Sequence, residues 1–314
     1  MMLSFLGKRL IATVPVVLVV AVAVFTIVRL TPGDPAAIIG GNGATSEDLD
    51  RIRVQLGLDK PLLTQFLLWA GQVLQGDLGF SYYLNKPVVE LIGQRVGPTL
   101  SLACGTLILA IIIALPLGTV AAWRMGGLVD KAVMAFSVAG FSVPVFVIGY
   151  VLIYLAALKL QWFPVQGYRR LSEGAWLWAR HLVLPCLTLA VTYVALLARV
   201  TRAAVSEALT EDYIRTARAK GIGEKAVLTH HALRNAAVPV VTVIGVSAAL
   251  LLGGVVVTET VYAIPGLGQL TVDAVLNRDF PVLQGVVLFF AMIYVVVNLL
   301  VDFAYLILDP RIRY

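Results

Sequence analysis

Charged side chains are scarce in this chain. Lysine, arginine, aspartate and glutamate together make up 13% of its 314 residues, whereas a soluble globular domain carries about 25%. The mean hydropathy is +0.91, and 60% of the residues are hydrophobic. This composition excludes an ordinary soluble domain and favours a protein whose apolar surface is covered by lipid.

Cysteine and histidine are scarce too. The two cysteines, Cys104 and Cys186, both stand in apolar runs, which favours buried free thiols over a disulfide or a metal pair. The three histidines have no acidic or cysteine cluster around them, so we expect no metal site. The net charge is +6, but no arginine-rich arm or interleaved aromatic patch accompanies it, so we expect no nucleic-acid partner.

What the chain does contain is long apolar segments. Six uncharged runs are long enough to cross a bilayer, which requires about 20 residues. They are Leu10–Val28, Val96–Trp123, Ala132–Leu158, His181–Ala198, Asn235–Thr258 and Phe280–Val301. The first run is longer than the roughly 7–15 residues of a signal-peptide core, so we interpret it as a retained span. These runs predict an all-α integral membrane protein with six transmembrane helices.

Lysine and arginine are distributed unequally between the segments that join these spans. If the N-terminus is cytoplasmic, the inner segments hold 13 of these residues and the short outer loops hold 5. The long first loop holds the other 6, and it exceeds the length over which the positive-inside rule applies. Both termini are therefore predicted to be cytoplasmic.

The pattern of spans divides the chain into four parts. Residues 1–31 are predicted to form the cytoplasmic N-terminus and the first span, and residues 32–95 an extracytoplasmic helical loop. Residues 96–308 are predicted to form a core of five spans that includes a cytoplasmic loop at residues 199–238, and residues 309–314 a cytoplasmic tail.

The long outer loop carries signals for two helices. Thr45 and Ser46 can cap a helix that runs to Leu56, and Gly57 suits the left-handed residue that ends it. Pro61 fits the first turn of a second helix, which reaches about Gln75. The loop is therefore predicted to form a small folded cap, and a helix pair that only braces the spans is a compatible alternative.

The stretch EDYIRTARAKGIGEKAVLTHHALRN, residues 211–235, interrupts the apolar sequence with charge. Acids at its start and bases further on complement a helix dipole. Thr210 could cap this helix and Gly221 could end it. A second short helix is predicted from Glu224 to Asn235.

One side of the first of these helices carries both large and small residues. Tyr213, Ile214 and Ala217 are spaced to share one side of it, and the small residues Ala217 and Gly221 would let another backbone approach closely. This pattern favours a docking site for a partner protein. An amphipathic hairpin resting on lipid headgroups is the alternative.

Several motifs occur in a fixed order along the chain. The stretch YIRTARAKG at Tyr213–Gly221 is followed by HALRNA at His231–Ala236. Others are LTPGDP at Leu30–Pro35, QLGLDKP at Gln55–Pro61, GDLGFS at Gly76–Ser81, PGLG at Pro265–Gly268, RDFP at Arg278–Pro281 and DPR at Asp309–Arg311. Together they resemble the permease subunits of binding-protein-dependent ABC importers, most closely the peptide/nickel branch. The broader superfamily has Glu-Ala-Ala where this chain has Arg215, Thr216 and Ala217, so no role of an acidic residue is carried over.

The resemblance implies a type I ABC importer permease fold and a coupling helix that seats on an ATPase subunit. The implied coupling residues are Tyr213, Arg215, Thr216, Ala217, Arg218, Lys220 and Gly221. The implied partners are a homologous second permease subunit, two ATP-binding cassette ATPase subunits, an extracytoplasmic solute-binding protein and membrane lipid. ATP and Mg would be used by partner subunits, with no cofactor in this chain. Dipeptides, oligopeptides, glutathione and nickel chelates all fit as cargo.

Candidate residues for the translocation path are few. Polarity and a kink in the third span come from Ser137, Ser142, Pro144 and Tyr150. A turn that contains Pro265, Gly266 and Gly268 could form part of an outer gate, and a plain loop is the equal alternative. Glu259 and Asp302 stand near the ends of spans, where a structural role is favoured over substrate contact.

Two other functions are less consistent with the sequence. An ion-driven secondary transporter would be expected to carry inverted repeats or ionisable residues near the midplane, and neither is visible. A membrane-embedded enzyme would need a nucleophile–base or metal constellation, and no catalytic residue is assigned.

The stretch GIGEK at Gly221–Lys225 lacks the spacing of a P-loop, so energy from ATP would have to come from another chain.

Overall fold

The computed structural model describes residues 2–30, 36, 45–55 and 57–308. Five of its helices are long and apolar enough to cross a membrane, and a bent helix pair supplies a sixth candidate span. Each of the six apolar runs in the sequence coincides with one of these candidates. The predicted all-α membrane architecture is therefore confirmed. The motifs at Leu30–Pro35 and Asp309–Arg311 extend outside the described residues.

The helices alternate between long apolar segments and short connecting ones. In chain order they are α1 (Met2–Leu30), α2 (Ser46–Gln55), α3 (Leu62–Leu74), α4 (Val88–Trp123), α5 (Leu128–Ser142), α6 (Val145–Leu152), α7 (Ala175–Thr210), α8 (Asp212–Ala219), α9 (Glu224–Ala226), α10 (Leu233–Asn235), α11 (Ala237–Val261), α12 (Leu267–Leu276) and α13 (Phe280–Leu308). Two strands, β1 (Phe80–Ser81) and β2 (Lys86–Pro87), pair antiparallel. π-helical turns extend α6 over Ile153–Lys159 and join α9 to α10 over Val227–Ala232.

The third span is sharply bent. The helix that starts at Leu128 and the one that ends at Lys159 meet at an angle of 102°. Pro144 is the N-cap of α6, and Val143 before it is extended at φ −90° and ψ 124°. Because proline has no N–H and disfavours helical geometry in the residue before it, the break falls here. The predicted kink at Pro144 is confirmed.

The chain divides into two compact units. The first comprises residues 1–95 and 270–295. Within it, α3 packs on α1 through Phe66, whose ring centroid lies 5.4 Å from that of Phe25, and through Trp69 at 5.7 Å from the same ring. Aromatic contacts at these separations stabilise the pair beyond the area they bury. The predicted division of the chain by membrane side stays a prediction.

The second unit comprises residues 96–269 and 296–314 and is built around α7. In its most apolar window α7 is 67% buried, against 17–28% for the other four single-helix spans. Glycines allow other helices to approach it. A side-chain carbon at Gly118 of α4 would lie 2.6 Å from the Ala198 carbonyl oxygen, and one at Gly140 of α5 would lie 2.9 Å from the Ala195 Cβ. Small residues commonly permit such close packing between membrane helices.

The helix caps between α1 and α4 agree with the capping residues identified in the sequence. The Thr45 hydroxyl accepts a hydrogen bond from the Asp48 N–H at 3.3 Å, and Asp48 accepts one from the Thr45 N–H at 3.1 Å, a reciprocal capping box. Gly57 has φ +65° just after α2, as predicted. The predicted helix end at Leu56 lies outside the described residues.

The fourth apolar run, His181–Ala198, lies within α7, which continues past Arg199 and Arg202 to Thr210, as these two charges after the run indicate. One prediction about the apolar runs needs correction. Cys186 is buried as predicted, but Cys104 is exposed, so the prediction of two buried thiols is wrong for Cys104. An apolar run in a membrane helix can face lipid as easily as protein, and the run itself does not say which.

Candidate functional site

The hairpin segment, residues 211–235, contains both helices expected from the sequence. α8 covers Asp212–Ala219, and a continuous helical stretch covers Glu224–Asn235. The N-cap of α8 is Glu211, in extended conformation at φ −70° and ψ 150°. Thr210 is not the cap, which corrects that prediction: α7 continues through it, and its hydroxyl donates to the Glu207 carbonyl oxygen at 2.7 Å.

The hairpin segment is attached to the spans by apolar packing. Ile214 and Ala217 of α8 are 0% and 5% exposed. They belong to a cluster, here called the hairpin cluster, which consists of Ala122, Val205, Ala208, Ile214, Ala217, Val227, Leu228, Ala232 and Ala236. Full burial of an isoleucine contributes about 1.5–3 kcal/mol. The hairpin segment therefore packs against the ends of α4 and α7.

A left-handed turn at Gly221 ends α8. Gly221 has φ +77°, and its N–H donates to the Arg218 carbonyl oxygen at 2.9 Å, while the Ile222 N–H donates to the Ala217 carbonyl oxygen at 3.2 Å. This pair of bonds is a Schellman motif, for which glycine is the usual residue. The predicted helix stop at Gly221 is confirmed. A side-chain carbon there would meet nothing within 4 Å, so the glycine serves the backbone turn.

An ion pair closes the turn between the two helices. The Arg218 guanidinium donates from Nε and Nη2 to the two carboxylate oxygens of Glu224, at 2.7 and 3.2 Å. This hydrogen bonding raises the pKa of Arg218 and lowers the pKa of Glu224. Both side chains are more than 40% exposed, so solvent weakens the contact. Its main effect is on the geometry of the turn.

The outward side of α8 is polar. The exposed residues of this helix and its C-terminal turn include Tyr213, Arg215, Thr216 and Lys220. Tyr213 is 38% exposed and so does not share the buried side with Ile214 and Ala217. The expectation that Ala217 offers a small surface to a partner is also wrong. Its spacing from Ile214 turns it toward its own chain, where it is buried in the hairpin cluster.

A partly buried ion pair joins the start of α5 to α7. Arg202 donates from Nε and Nη2 to Asp130 at 2.9 and 2.8 Å, and the Gly126 N–H donates to the same carboxylate at 2.9 Å. The Asp130 side chain is 6% exposed. The sequence patterns indicated no role for Asp130, and they indicated Arg202 only as a charge that sets orientation and marks the continuation of the fourth span. The available signal was an acid in the first turn of a membrane helix.

Comparison with known families decides what kind of protein carries this hairpin segment. Residues 114–314 match the family described as "Binding-protein-dependent transport system inner membrane component". Residues 2–103 match the N-terminal region of the same kind of membrane component. The chain belongs to this permease family.

Relatives of the permease cover its whole length. It is 50% identical over 310 residues to a probable peptide ABC transporter permease protein of Sinorhizobium fredii, with 99% of each chain covered. It is 43% identical over 314 residues to a putative peptide transport system permease protein of Brucella melitensis, and 42% identical over 313 residues to a glutathione transport system permease protein of Escherichia coli, with 100% of each chain covered in both cases.

A solved structure supports the fold of the permease. An inward-facing MetNI methionine ABC transporter matches with a TM-score of 0.57 and 18% identity, over 70% of this chain and 96% of that one. At this identity the match supports only the fold, which is that of a type I ABC importer permease. The permease is thus a multi-pass inner-membrane component of an ABC importer, and the alternative of an ion-driven secondary transporter is not supported.

The predicted gate turn of the permease is built around a buried acid. Glu259, 0% exposed, accepts a hydrogen bond from the Thr99 hydroxyl at 2.6 Å and another from the Gln269 N–H at 3.1 Å. A side-chain carbon at Gly266 would overlap the Glu259 carboxylate, and one at Gly268 would lie 2.5 Å from the Val256 Cα. The glycines of this turn are therefore required by close packing. Pro265 is exposed, and a gating role for the turn stays a prediction.

The predicted path residues are in different environments. Ser137 is 1% exposed, and its hydroxyl donates to the Val133 carbonyl oxygen of its own helix. Ser142 bonds in the same way to Val138, but its side chain is exposed. Tyr150 is 60% exposed. The structure places Pro144 at the bend between them, and their assignment to a translocation path stays a prediction.

Proposed function

We propose that this permease forms half of the translocation path of an importer for dipeptides, oligopeptides or a related solute such as glutathione. A homologous permease would supply the other half. ATP hydrolysis on two separate ATPase subunits would drive transport, and an extracytoplasmic solute-binding protein would deliver the cargo. The names of the three relatives, two concerning peptides and one glutathione, support this substrate class.

The observation that carries the proposal is the attachment of α8. Its outward side is polar and exposed, while Ile214 and Ala217 fix its other side to α4 and α7 through the hairpin cluster. A partner that pulls on Arg215 or Thr216 would therefore displace the ends of two spans rather than bend a loose loop. This is the mechanical property that a coupling helix requires.

The proposal places the hairpin segment in the cytoplasm. Both termini would be cytoplasmic, and residues 32–95 would lie outside. The excess of lysine and arginine in the segments assigned to the inner side supports this orientation.

Site-directed crosslinking tests the proposal. In a chain with Cys104 and Cys186 replaced by alanine, Thr216→Cys should crosslink to an ATPase subunit in native membranes and should react with an impermeant thiol reagent only in inside-out vesicles. Tyr83→Cys, at an exposed position of the outer loop, is the control. It should show the opposite sidedness and no ATPase crosslink. Labelling of Thr216→Cys from outside the cell would contradict the proposal.

A further inference from the structure

The first unit holds a cavity to which the proposed coupling function assigns no role. Its volume is about 310 Å³, near the lower end of the range of small-ligand pockets. Its wall includes residues from the motifs GDLGFS and RDFP, which have no part in the hairpin segment. The lining residues used below are Arg29, Trp69, Tyr82, Tyr83, Arg278 and Asp279.

The two motifs are held together by specific contacts. The Ser81 hydroxyl, fully buried, donates to the Asp279 carboxylate. Gly79 has φ +92°, and a side-chain carbon there would lie 3.5 Å from Pro281. Asp77 accepts a hydrogen bond from the Gly79 N–H at 2.8 Å. The wall of the cavity is therefore organised before any ligand arrives.

Among the described residues, four charged ones line this cavity, Arg29, Asp77, Arg278 and Asp279, and two of them hold a buried polar atom without a hydrogen-bond partner. Asp279 is 6% exposed; burial raises its pKa, while hydrogen bonds from the Ser81 hydroxyl and the Val282 N–H lower it. Within the described part of the chain, its Oδ1 atom and the Arg29 Nε atom are both buried without a hydrogen-bond partner. The Arg29 guanidinium lies 5.2 Å from the centroid of the Phe25 ring. Buried charged groups left incompletely satisfied cost free energy, and both residues line the cavity, so a ligand that pairs with these two charges would be favoured.

The backbone beside Asp279 is strained. Arg278 has φ +53°, at the end of a helix. The Arg278 N–H donates to the Val275 carbonyl oxygen, and the Asp279 N–H to the Ala274 carbonyl oxygen. This is a Schellman motif with arginine where glycine is usual. Strain of this kind is commonly kept at binding sites, and here it keeps a second guanidinium at the cavity wall.

We propose that this cavity binds a small zwitterion that carries a primary ammonium group and an anionic group. The ammonium group would bind at Asp279 and the anionic group at Arg29. Trp69, Tyr82 and Tyr83 would contact the rest of the ligand, with cation–π attraction adding to the ammonium contact. A free amino acid or dipeptide has this chemistry, and so does the headgroup of an ethanolamine phospholipid. The proposal does not depend on which solute the importer carries.

Equilibrium binding to the full-length chain tests the proposal. The chain is reconstituted in nanodiscs of phosphatidylglycerol, which has no ammonium group, and radiolabelled dialanine is the probe. Dialanine should bind, and N-acetyl-dialanine and dialanine amide should bind at least tenfold more weakly, because each lacks one of the two charges. Asp279→Asn and Arg29→Gln should each weaken dialanine at least tenfold. Asp273→Asn and Arg51→Gln, which remove charges that do not line the cavity, should not.

A lipid occupant is distinguished by a second measurement. If phosphatidylethanolamine is the ligand, native mass spectrometry should find it retained by the wild-type chain in preference to phosphatidylcholine, whose ammonium group is fully methylated, and lost from Asp279→Asn. Absence of both dialanine binding and selective phosphatidylethanolamine retention would overturn the proposal. Equal binding of dialanine and its two blocked analogues would do so as well, and this comparison needs only the wild-type chain.

Discussion

At the scale of single residues, Gly118 sets how closely α4 can approach α7. Gly118→Ala would place a carbon 2.6 Å from the Ala198 carbonyl oxygen and 2.7 Å from the Thr201 Cβ. Because backbone would have to move, we expect a loss of about 1–3 kcal/mol of stability. Thermal unfolding in detergent measures it. Gly97→Ala, in the same helix with nothing within 4 Å, is the control, and an equal effect of both would contradict the packing argument.

Gly221 is the second residue with a decisive role, through its backbone. Gly221→Ala must hold φ +77°, which costs a non-glycine residue about 1–2 kcal/mol. The Schellman turn should open more often, so the Ile222 amide should exchange hydrogen about tenfold faster. Gly223→Ala, at φ −63°, should leave this exchange unchanged. If both variants exchange alike, the left-handed turn is not what ends α8.

At the scale of elements, the ion pair between Asp130 and Arg202 ties α5 to α7. Asp130→Ala leaves a partly buried guanidinium, 23% exposed, without its carboxylate, so we expect a loss of about 1–3 kcal/mol. Glu90→Ala breaks a pair with Lys86 whose side chains are 45–47% exposed, and should cost under about 1 kcal/mol. Thermal melting curves of the two variants give the comparison, and similar melting temperatures would refute it.

The stability of the turn in the hairpin segment should also depend on pH, because Glu224 titrates. Its pKa is lowered in the folded chain by hydrogen bonds from Arg218, so the contact stabilises the turn above the unfolded pKa of about 4.3. That contribution is lost as pH falls through the lower, folded value. Amide exchange of residues 218–224, corrected for its intrinsic pH dependence, should rise on acidification in the wild-type chain. Glu224→Gln should show faster exchange already at pH 7 and no such rise.

At the scale of the whole molecule, the proposed function predicts dependence on other chains. Proteoliposomes that contain this permease alone should not accumulate labelled dipeptide, with or without ATP. Addition of the second permease, the ATPase subunits and the loaded binding protein should give uptake that requires ATP. Uptake by this chain alone, driven by an ion gradient, would contradict the proposal.

The sequence predicted the positions of helices and turns better than it predicted the direction in which individual side chains face. The six spans, the helices at 46–55 and 62–74 and the break at Pro144 follow from apolar length, capping residues and proline geometry, which act over a few residues. The orientation of Ala217 was predicted wrongly because a small residue suits a partner and its own spans equally well. The cap at Thr210 failed because α7 continued through that residue.

What the sequence by itself determined is the local framework: membrane spans, turns at Gly57 and Gly221, and the ordered motifs that resemble an importer permease. Only the tertiary structure decided which side chains that are far apart in the sequence come into contact. Asp130 and Arg202 are 72 residues apart, and Ser81 and Asp279 are 198 residues apart. Local propensities act between near neighbours along the chain. Contacts over such separations depend on how whole helices pack, and no single stretch of sequence encodes that.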